Sequence, residues 1–264
     1  MFIEERHRKI LEILNEKGRI TTSEIQRHFS VGFDSARRDL RILEEQGLLK
    51  RTHGGAIVLE QTAFSKPPKT TPKDVTFERE NYVAIAKRAV SKIVQNDVIF
   101  ISSATVCYFM IKYLPENLRI RVATNSIVLA EELRCRDNVS VILLGGEMDQ
   151  KGNCYDMFAV NMLRELRFDK CFLTSAGISA DFGLSIQHSN AKAFWNAVID
   201  SSRKSFGLYP TEKIGFESIV SICPAERLDC IITDWDAPED ELKKFDKKGI
   251  ELEIVEKTEE EQAI

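Results

Sequence analysis

Residues 29–57 read FSVGFDSARRDLRILEEQGLLKRTHGGAI, and this stretch decides the fold of the N-terminal part of the chain. Ala36, Leu40 and Leu43 recur at helical spacing, which predicts a helix from Asp34 to Gln46 with one buried face. Arg37, Arg38 and Arg41 stand off that face near its start. Gly47 supplies a residue that tolerates the left-handed backbone of a helix end. Leu48–Thr52 then reads as a short basic strand. His53-Gly54-Gly55 reads as a tight tip leading into Ala56-Ile57-Val58.

A helix with arginines near its N-terminal end can enter a major groove, while a basic strand with a glycine tip lies along the neighbouring backbone. The layout predicts a winged helix-turn-helix. The competing reading is a solvated helix whose arginines merely pair with Asp39, Glu44 or Glu45.

The preceding residues fit the first reading. Ile10, Leu11, Ile13 and Leu14 form one stripe of a helix from Arg6 to Lys17, ended by Gly18. Thr21, with Glu24 three residues on, is a capping box that opens a second helix through Phe29. Ser30–Phe33 is the turn between the second and third helices.

The run R-R-D-L-x-x-L-x-x-x-G-L-x-x-R-x-H-G-G-A, beginning at Arg37, resembles the DNA-binding signature of DeoR-type bacterial transcriptional regulators. The resemblance implies a double-stranded DNA operator as partner. It implies Thr22, Ser35, Arg37, Arg38, Arg41, Arg51, His53, Gly54 and Gly55 as the residues that contact it. Where the family carries a serine N-cap this chain has Gly32, a substitution that costs only a few tenths of a kcal/mol.

The charge distribution agrees with a DNA-reading head. The whole chain of 264 residues is net −4, but residues 1–58 hold 11 Lys/Arg against 9 Asp/Glu. A mildly basic head on an acidic body suits a regulator. No apolar run approaches a membrane span and the first helix is charged, so a cytoplasmic protein without membrane contact is expected. The six cysteines form no C-x-x-C pair and have no matching histidine. Buried free thiols are therefore expected, with no metal site and no cofactor.

The expected organisation is a DNA-binding domain at 1–58, a linker at 59–75 containing Lys66-Pro67-Pro68-Lys69, a sensor and oligomerisation domain at 76–256, and an acidic tail at 257–264. From Val98 onward, apolar strands alternate with amphipathic helices. That alternation predicts a Rossmann-like, mostly parallel α/β sheet with ligands outside the carboxyl ends of its strands. The expected strands are 98–102, 120–124, 139–144, 170–175, 206–209, 218–222, 229–233 and 252–255.

This second region resembles the DeoR sensor domain, which is similar to sugar-phosphate isomerases. The resemblance implies a small phosphorylated metabolite as effector. It implies Ser102, Ser103, Thr105, Thr124, Asn125, Ser126, Gly145, Gly146 and Lys213 as the residues that hold it. Thr124-Asn125-Ser126 matches the family's T-N-S turn, Gly145-Gly146 its glycine pair, and Asp229–Asp234 its late D-x-(I/V)-I-T-D strand.

The family's polar groups match less well. Its D-S-G-(T/S)-T loop is Ser102-Ser103-Ala104-Thr105-Val106 here, its G-A-D-G-I is Thr174-Ser175-Ala176-Gly177-Ile178, and its D-x-S-K-F-G is Pro210–Gly215, which keeps Lys213. The frame is retained while most hydroxyl-binding carboxylates are replaced. A less hydroxylated ligand, with Phe194 and Trp195 as candidate walls, and a purely structural remnant both fit that pattern.

The favoured function is a DNA-binding transcriptional repressor of sugar-related metabolic genes, not an enzyme, acting as a homo-oligomer. The alternatives are a sugar-phosphate isomerase-like enzyme and a ligand-independent oligomerising regulator.

Overall fold

A computed structural model of the protein describes residues 3–17, 19–45, 48–52, 54–57 and 79–257. The chain forms two compact units, Met1–Thr70 and Thr71–Ile264. The linker at 59–75, His53, Gly47 and residues 258–264 of the tail lie outside the described residues.

The first unit contains helices α1 (Ile3–Lys17), α2 (Thr22–Phe29) and α3 (Phe33–Glu45), with strands β1 (Arg19–Thr21), β2 (Lys50–Thr52) and β3 (Gly55–Ile57). Its core is Ile10, Leu14, Ile20, Ile25, Ala36, Leu40, Leu43, Leu49 and Ala56. Ile10, Leu14, Ile25, Ala36, Leu40 and Leu43 lie on the helices' apolar stripes, each covering that of the next, while Ile20, Leu49 and Ala56 are added by the wing sheet and its approach.

The capping box forms as expected. Glu24 N–H donates to Thr21 Oγ1 at 3.1 Å, and Thr21 N–H donates to Glu24 Oε2 at 2.7 Å. Ala36 N–H bonds back to Gly32 C=O at 3.0 Å, so glycine does stand at the start of α3.

The wing departs from expectation in one respect. Gly55 is not in the tip but in β3, where it pairs with both Thr21 and Thr52 in an antiparallel sheet of order β1-β3-β2. Strand β1 was not legible because three residues between two helices are too few to carry an alternation. It explains the glycine, since a Cβ on Gly55 would lie 2.0 Å from the Ile20 carbonyl oxygen.

The second unit is a three-layer α/β fold. Its elements are α4 (Glu80–Val90), β4 (Val98–Ile101), α5 (Thr105–Tyr113), β5 (Ile120–Thr124), α6 (Ile127–Leu133), β6 (Val139–Leu143), α7 (Met157–Arg164), β7 (Phe168–Leu173), β8 (Gly177–Ser179), β9 (Gly183–Ile186), α8 (Lys192–Asp200), β10 (Ser202–Leu208), β11 (Val220–Cys223), β12 (Cys230–Thr233), α9 (Glu239–Lys247) and β13 (Glu251–Ile254). Seven strands form one sheet of order β13-β12-β10-β7-β4-β5-β6, and every pairing in it is parallel.

Both faces are covered, which is why the strands read as almost continuous apolar runs. Phe100, Phe168, Cys171 and Leu173 pack on one side with Val160, Leu163, Phe194 and Val198. Ile99, Ile101, Val122 and Phe172 pack on the other with Ile85, Ala89, Phe109 and Leu129.

The remaining strands form a small antiparallel sheet of order β11-β9-β8. Sequence reasoning found neither β8 nor β9. It also read 218–222 as one more strand of the series, although β11 pairs only with β9. Gly177 and Gly183 permit this close hairpin: a Cβ on either would lie 2.2 or 2.1 Å from the carbonyl oxygens of Phe216 and Cys223.

Within the main sheet, β4 and β7 lie side by side while the chain departs from them in opposite directions, to β5 and β6 on one hand and β10, β12 and β13 on the other. This divergence opens a crevice outside the carboxyl ends of the strands.

Candidate functional site

On the first unit, Ser35, Arg37, Arg38, Arg41, Arg51 and Gly54 are exposed. Asp34, Arg37, Arg38, Arg41 and Arg51 together line a shallow cleft of about 310 Å³ between α3 and the wing strand. The acidic residues are divided unevenly among these arginines. Arg41 faces Glu45 at 3.8 Å, and Arg51 binds Glu44 through Nε at 3.0 Å, with its own backbone N–H donating to the other oxygen at 3.0 Å. For these two the intrahelical and wing pairings that compete with DNA are present.

Asp39 takes no part in that competition. It is 1% exposed, accepts from Arg6 Nε at 2.7 Å and Arg6 Nη2 at 3.1 Å, and sits 3.0 Å from His7 Nε2. The bond from Asp39 raises the Arg6 pKa and burial opposes it, so the guanidinium stays charged. The aspartate of the R-R-D-L run therefore locks α3 onto α1. It leaves Arg37 and Arg38 without an ion pair among the described residues; Arg37 rests on the Phe33 ring at 5.6 Å.

Two expected contact residues are turned inward. Thr22 is buried, and its N–H and Oγ1 both donate to the Gly54 carbonyl, at 2.8 and 3.1 Å. Gly55 is buried in β3. Both shape the wing rather than presenting groups to a partner, and no sequence pattern distinguishes that role from contact.

In the second unit, the residues expected to hold an effector follow the carboxyl ends of β4, β5, β6 and β10. Ser102 Oγ lies 3.1 Å from Cys107 Sγ, and the Ser103 and Tyr155 hydroxyls share a hydrogen bond at 3.1 Å. Asn125 is fully buried. Its Nδ2 donates to the Cys154 carbonyl at 3.1 Å, while its Oδ1 has no partner among the described residues. Lys213 reaches in from a 3-10 turn at Thr211–Lys213 and donates to Thr174 Oγ1 at 3.2 Å and to the Ser175 carbonyl at 2.9 Å. It is half-buried rather than a surface lysine, and burial pushes its pKa down. Burial raises the Cys107 thiol to about 11 and also lifts the Tyr155 and Tyr209 hydroxyls. The site is thus a ring of neutral hydroxyls around the Lys213 amine.

Thr124 and Ser126 are buried in the same turn, and Ser126 N–H donates to Thr124 Oγ1 at 3.3 Å. Thr105 begins α5, whose first turn has no side-chain cap from Ala104. The two glycines differ, since a Cβ on Gly145 would meet nothing within 4 Å whereas Gly146 faces a carboxylate. A Cβ on Gly146 would lie 2.3 Å from Asp156 Oδ1, and this carboxylate accepts from Glu147 N–H at 2.6 Å and caps α7.

Phe194 and Trp195 are not walls of the crevice. They are 0% and 6% exposed and pack edge-on against Phe100 in the core. Their sequence signal, two aromatics at a helix start, is the same for core and pocket.

Sequence reasoning missed Tyr155, Thr174 and Ser175 as site residues, and overlooked what Asp234 does. Asp234 is fully buried. It accepts from Thr211 N–H at 2.8 Å and Asn81 Nδ2 at 3.2 Å, and it also bonds Thr211 Oγ1. Beside it, Glu212 accepts from Arg79 Nη1 and from the Tyr82 hydroxyl, both at 2.8 Å. The carboxylates left at these strand ends are therefore already bonded to protein groups. Of the cysteines, five are buried free thiols as expected, and Cys135 is exposed.

A three-helix head with a basic recognition helix and wing, together with a parallel α/β unit carrying a hydroxyl-lined crevice, defines a DNA-binding transcriptional regulator with a sensor domain. Residues 6–62 match the DeoR-like helix-turn-helix domain and residues 78–235 match the DeoR C terminal sensor domain. The chain belongs to the DeoR family of transcriptional regulators.

Among curated relatives, it is 30% identical over 258 residues to the HTH-type transcriptional regulator GolR of Listeria innocua, covering 97% of this chain and 100% of that one. The HTH-type transcriptional repressor GlcR of Bacillus subtilis is 30% identical over 98% of this chain and 99% of its own length. The glycerol-3-phosphate regulon repressor of Escherichia coli is 27% identical over 95% and 98%. Among the described residues, no helix is long and apolar enough to cross a membrane.

Proposed function

We propose that the protein represses metabolic genes by binding operator DNA through α3 and the wing, as a pair of heads, and that a small phosphorylated metabolite at the sensor crevice controls that binding. The observation that carries the DNA-contact assignment is the division of acidic partners on the head. Asp39 is committed to Arg6 and His7, and Glu44 and Glu45 to Arg51 and Arg41, which leaves the exposed Arg37 and Arg38 for base edges or phosphates. Ser35, Arg41, Arg51 and Gly54 flank them, and His53 belongs to the same proposed surface by its place in the signature.

Arg37→Ala and Arg38→Ala, titrated against operator fragments by mobility shift, test the assignment. A base contact costs about 1–3 kcal/mol and relaxes specificity, whereas a phosphate contact lowers the salt slope by about one unit. Wild-type affinity and slope in both variants would overturn it.

For the effector, the reading is a phosphorylated ligand with few hydroxyls. Lys213 and the first turns of α5 and α6 suit the phosphate. Ala176 and Pro210 offer nothing to a sugar hydroxyl, and Asp234 is occupied by Thr211 and Asn81. Among the described residues these strand ends lack a free carboxylate placed to act as a base, which supports a binding rather than a catalytic role. The names of the relatives, a glycerol-3-phosphate regulon repressor among them, are consistent with a phosphorylated ligand. Calorimetry with a panel running from three-carbon to hexose phosphates tests this. Tight, stereospecific binding of a hexose phosphate would overturn the reading of a sparsely hydroxylated ligand.

A further inference from the structure

Of the nine exposed large apolar side chains among the described residues of the sensor unit, six lie at one end of the main sheet, and Val94, Ile219 and Ile254 lie elsewhere. Phe158 is 73% exposed, Met148 55%, Met157 54%, Ile127 48%, Leu143 43% and Met162 37%, and all six belong to the end of the sheet that closes on β6. The loop between β6 and α7 folds back over the ends of β5 and β6 and stitches them together. Leu144 N–H bonds Thr124 C=O at 2.8 Å, Cys154 N–H bonds Asn125 C=O at 3.0 Å, and Ile127 N–H bonds Gly152 C=O at 2.9 Å. Met148 pairs across from Cys154, and Met162 Sδ lies 3.4 Å from Gly145 N. These contacts bring the exposed side chains of α7, the start of α6 and the end of an edge strand to one end of the sheet, with α6 and α7 covering its opposite faces.

Its charge pattern differs from that of the opposite edge. Strand β6, Val-Ser-Val-Ile-Leu, has no charged residue, and α7 has none before Arg164. At the other edge, β13 carries Glu251 and Glu253, and Glu253 is held by Arg88 at 2.5 Å and by Lys92. An edge blunted by charges is protected from pairing, whereas an uncharged edge beside exposed apolar side chains is open to it.

We propose that this β6–α7 surface is where two copies of the chain pair, an inference that rests on the paired-head reading above. Six half-exposed large side chains amount to roughly 600 Å² of apolar area, the upper end of the largest patch that a typical monomer leaves open. With its polar rim, the patch approaches the ~800 Å² per partner of a stable interface. A surface that meets its own copy across a two-fold must not repel itself. This one has no charged side chain in β6 or in α7 before Arg164; its border carries Lys151 with Glu147, Asp149 and Asp156, the last held by the backbone N–H groups of Glu147, Phe158 and Ala159.

Sedimentation velocity of the full chain without DNA tests the proposal. The wild type is expected to sediment as a dimer or larger at micromolar concentration. Phe158→Glu is expected to weaken association at least tenfold, with an unchanged circular dichroism spectrum. Met157→Lys provides the same test should Phe158→Glu fail to fold, and Ile254→Glu, at the guarded edge, is expected to behave as wild type. Folded Phe158→Glu and Met157→Lys proteins that remain paired would overturn the surface while leaving the paired-head reading intact. So would dissociation of Ile254→Glu. A monomeric wild type would overturn both pairing and surface, leaving the contacts of Arg37 and Arg38 to be judged by their own titrations.

Discussion

Replacing Asp39 by Asn should unfold the head before it affects the sensor. The carboxylate is buried, receives two bonds from Arg6 and one contact from His7, and joins α1 to α3. An amide of the same shape keeps the volume but removes the charge. Arg6, with a side chain only 13% exposed, then loses its counter-ion. Removing one partner of a buried pair costs about 3–5 kcal/mol. A unit of this size has only about 3–8 kcal/mol of stability in total. The lower end, about 3 kcal/mol, corresponds to a fall of roughly 12–24 °C in the melting temperature.

The full chain permits a clean assay, because its two tryptophans, Trp195 and Trp235, both lie in the second unit. Helical circular dichroism reports both units, and tryptophan fluorescence reports only the sensor. In Asp39→Asn an early dichroism transition should separate while the fluorescence transition stays in place. Arg41→Ala, which breaks only an exposed pair, should move neither by more than about 0.5 kcal/mol. A head transition in Asp39→Asn within that same margin of wild type would refute the assignment of Asp39 as the lock between α1 and α3.

Gly55→Ala puts a Cβ 2.0 Å from the Ile20 carbonyl oxygen, so β1 and β3 must part. A loss of about 1–3 kcal/mol of head stability in the same melts is expected. Native-state titration with a thiol reagent at pH 8 should find one fast cysteine, removed by Cys135→Ser. The others are buried, with Cys107 and Cys223 raised to about 11 and Cys230 to about 12. The folded pKa of Lys213 lies below its unfolded value of ~10.4, so the unfolded chain binds the extra proton between the two values and stability rises with pH through that window. Lys213→Met should flatten this rise when urea midpoints are compared across it.

The three head helices and the seven strands of the main sheet were legible in the sequence, and so was the order of those strands along the chain. Helical spacing in residues 34–46 and the capping box at Thr21 act within one turn, so local sequence determines them without the rest of the fold. The all-parallel sheet was legible for a related reason: strands covered on both faces must be apolar at nearly every position, and β4 and β12 are.

Long-range contacts leave no such local trace. The sequence did not disclose that Asp39 belongs to Arg6 and His7, because 33 and 32 residues separate the partners. Nor could it distinguish a glycine at a hairpin tip from one wedged against Ile20, since both readings want the same residue. Phe194 and Trp195 looked equally suited to a pocket and to a core, and only packing against Phe100 decided between them. Tyr155 and Asp234 entered the site because the main sheet aligns the ends of strands distant in sequence. Periodicity determines which face of an element is apolar. What that face, or the end of a strand, finally meets is determined by tertiary packing, because the partner comes from elsewhere in the chain.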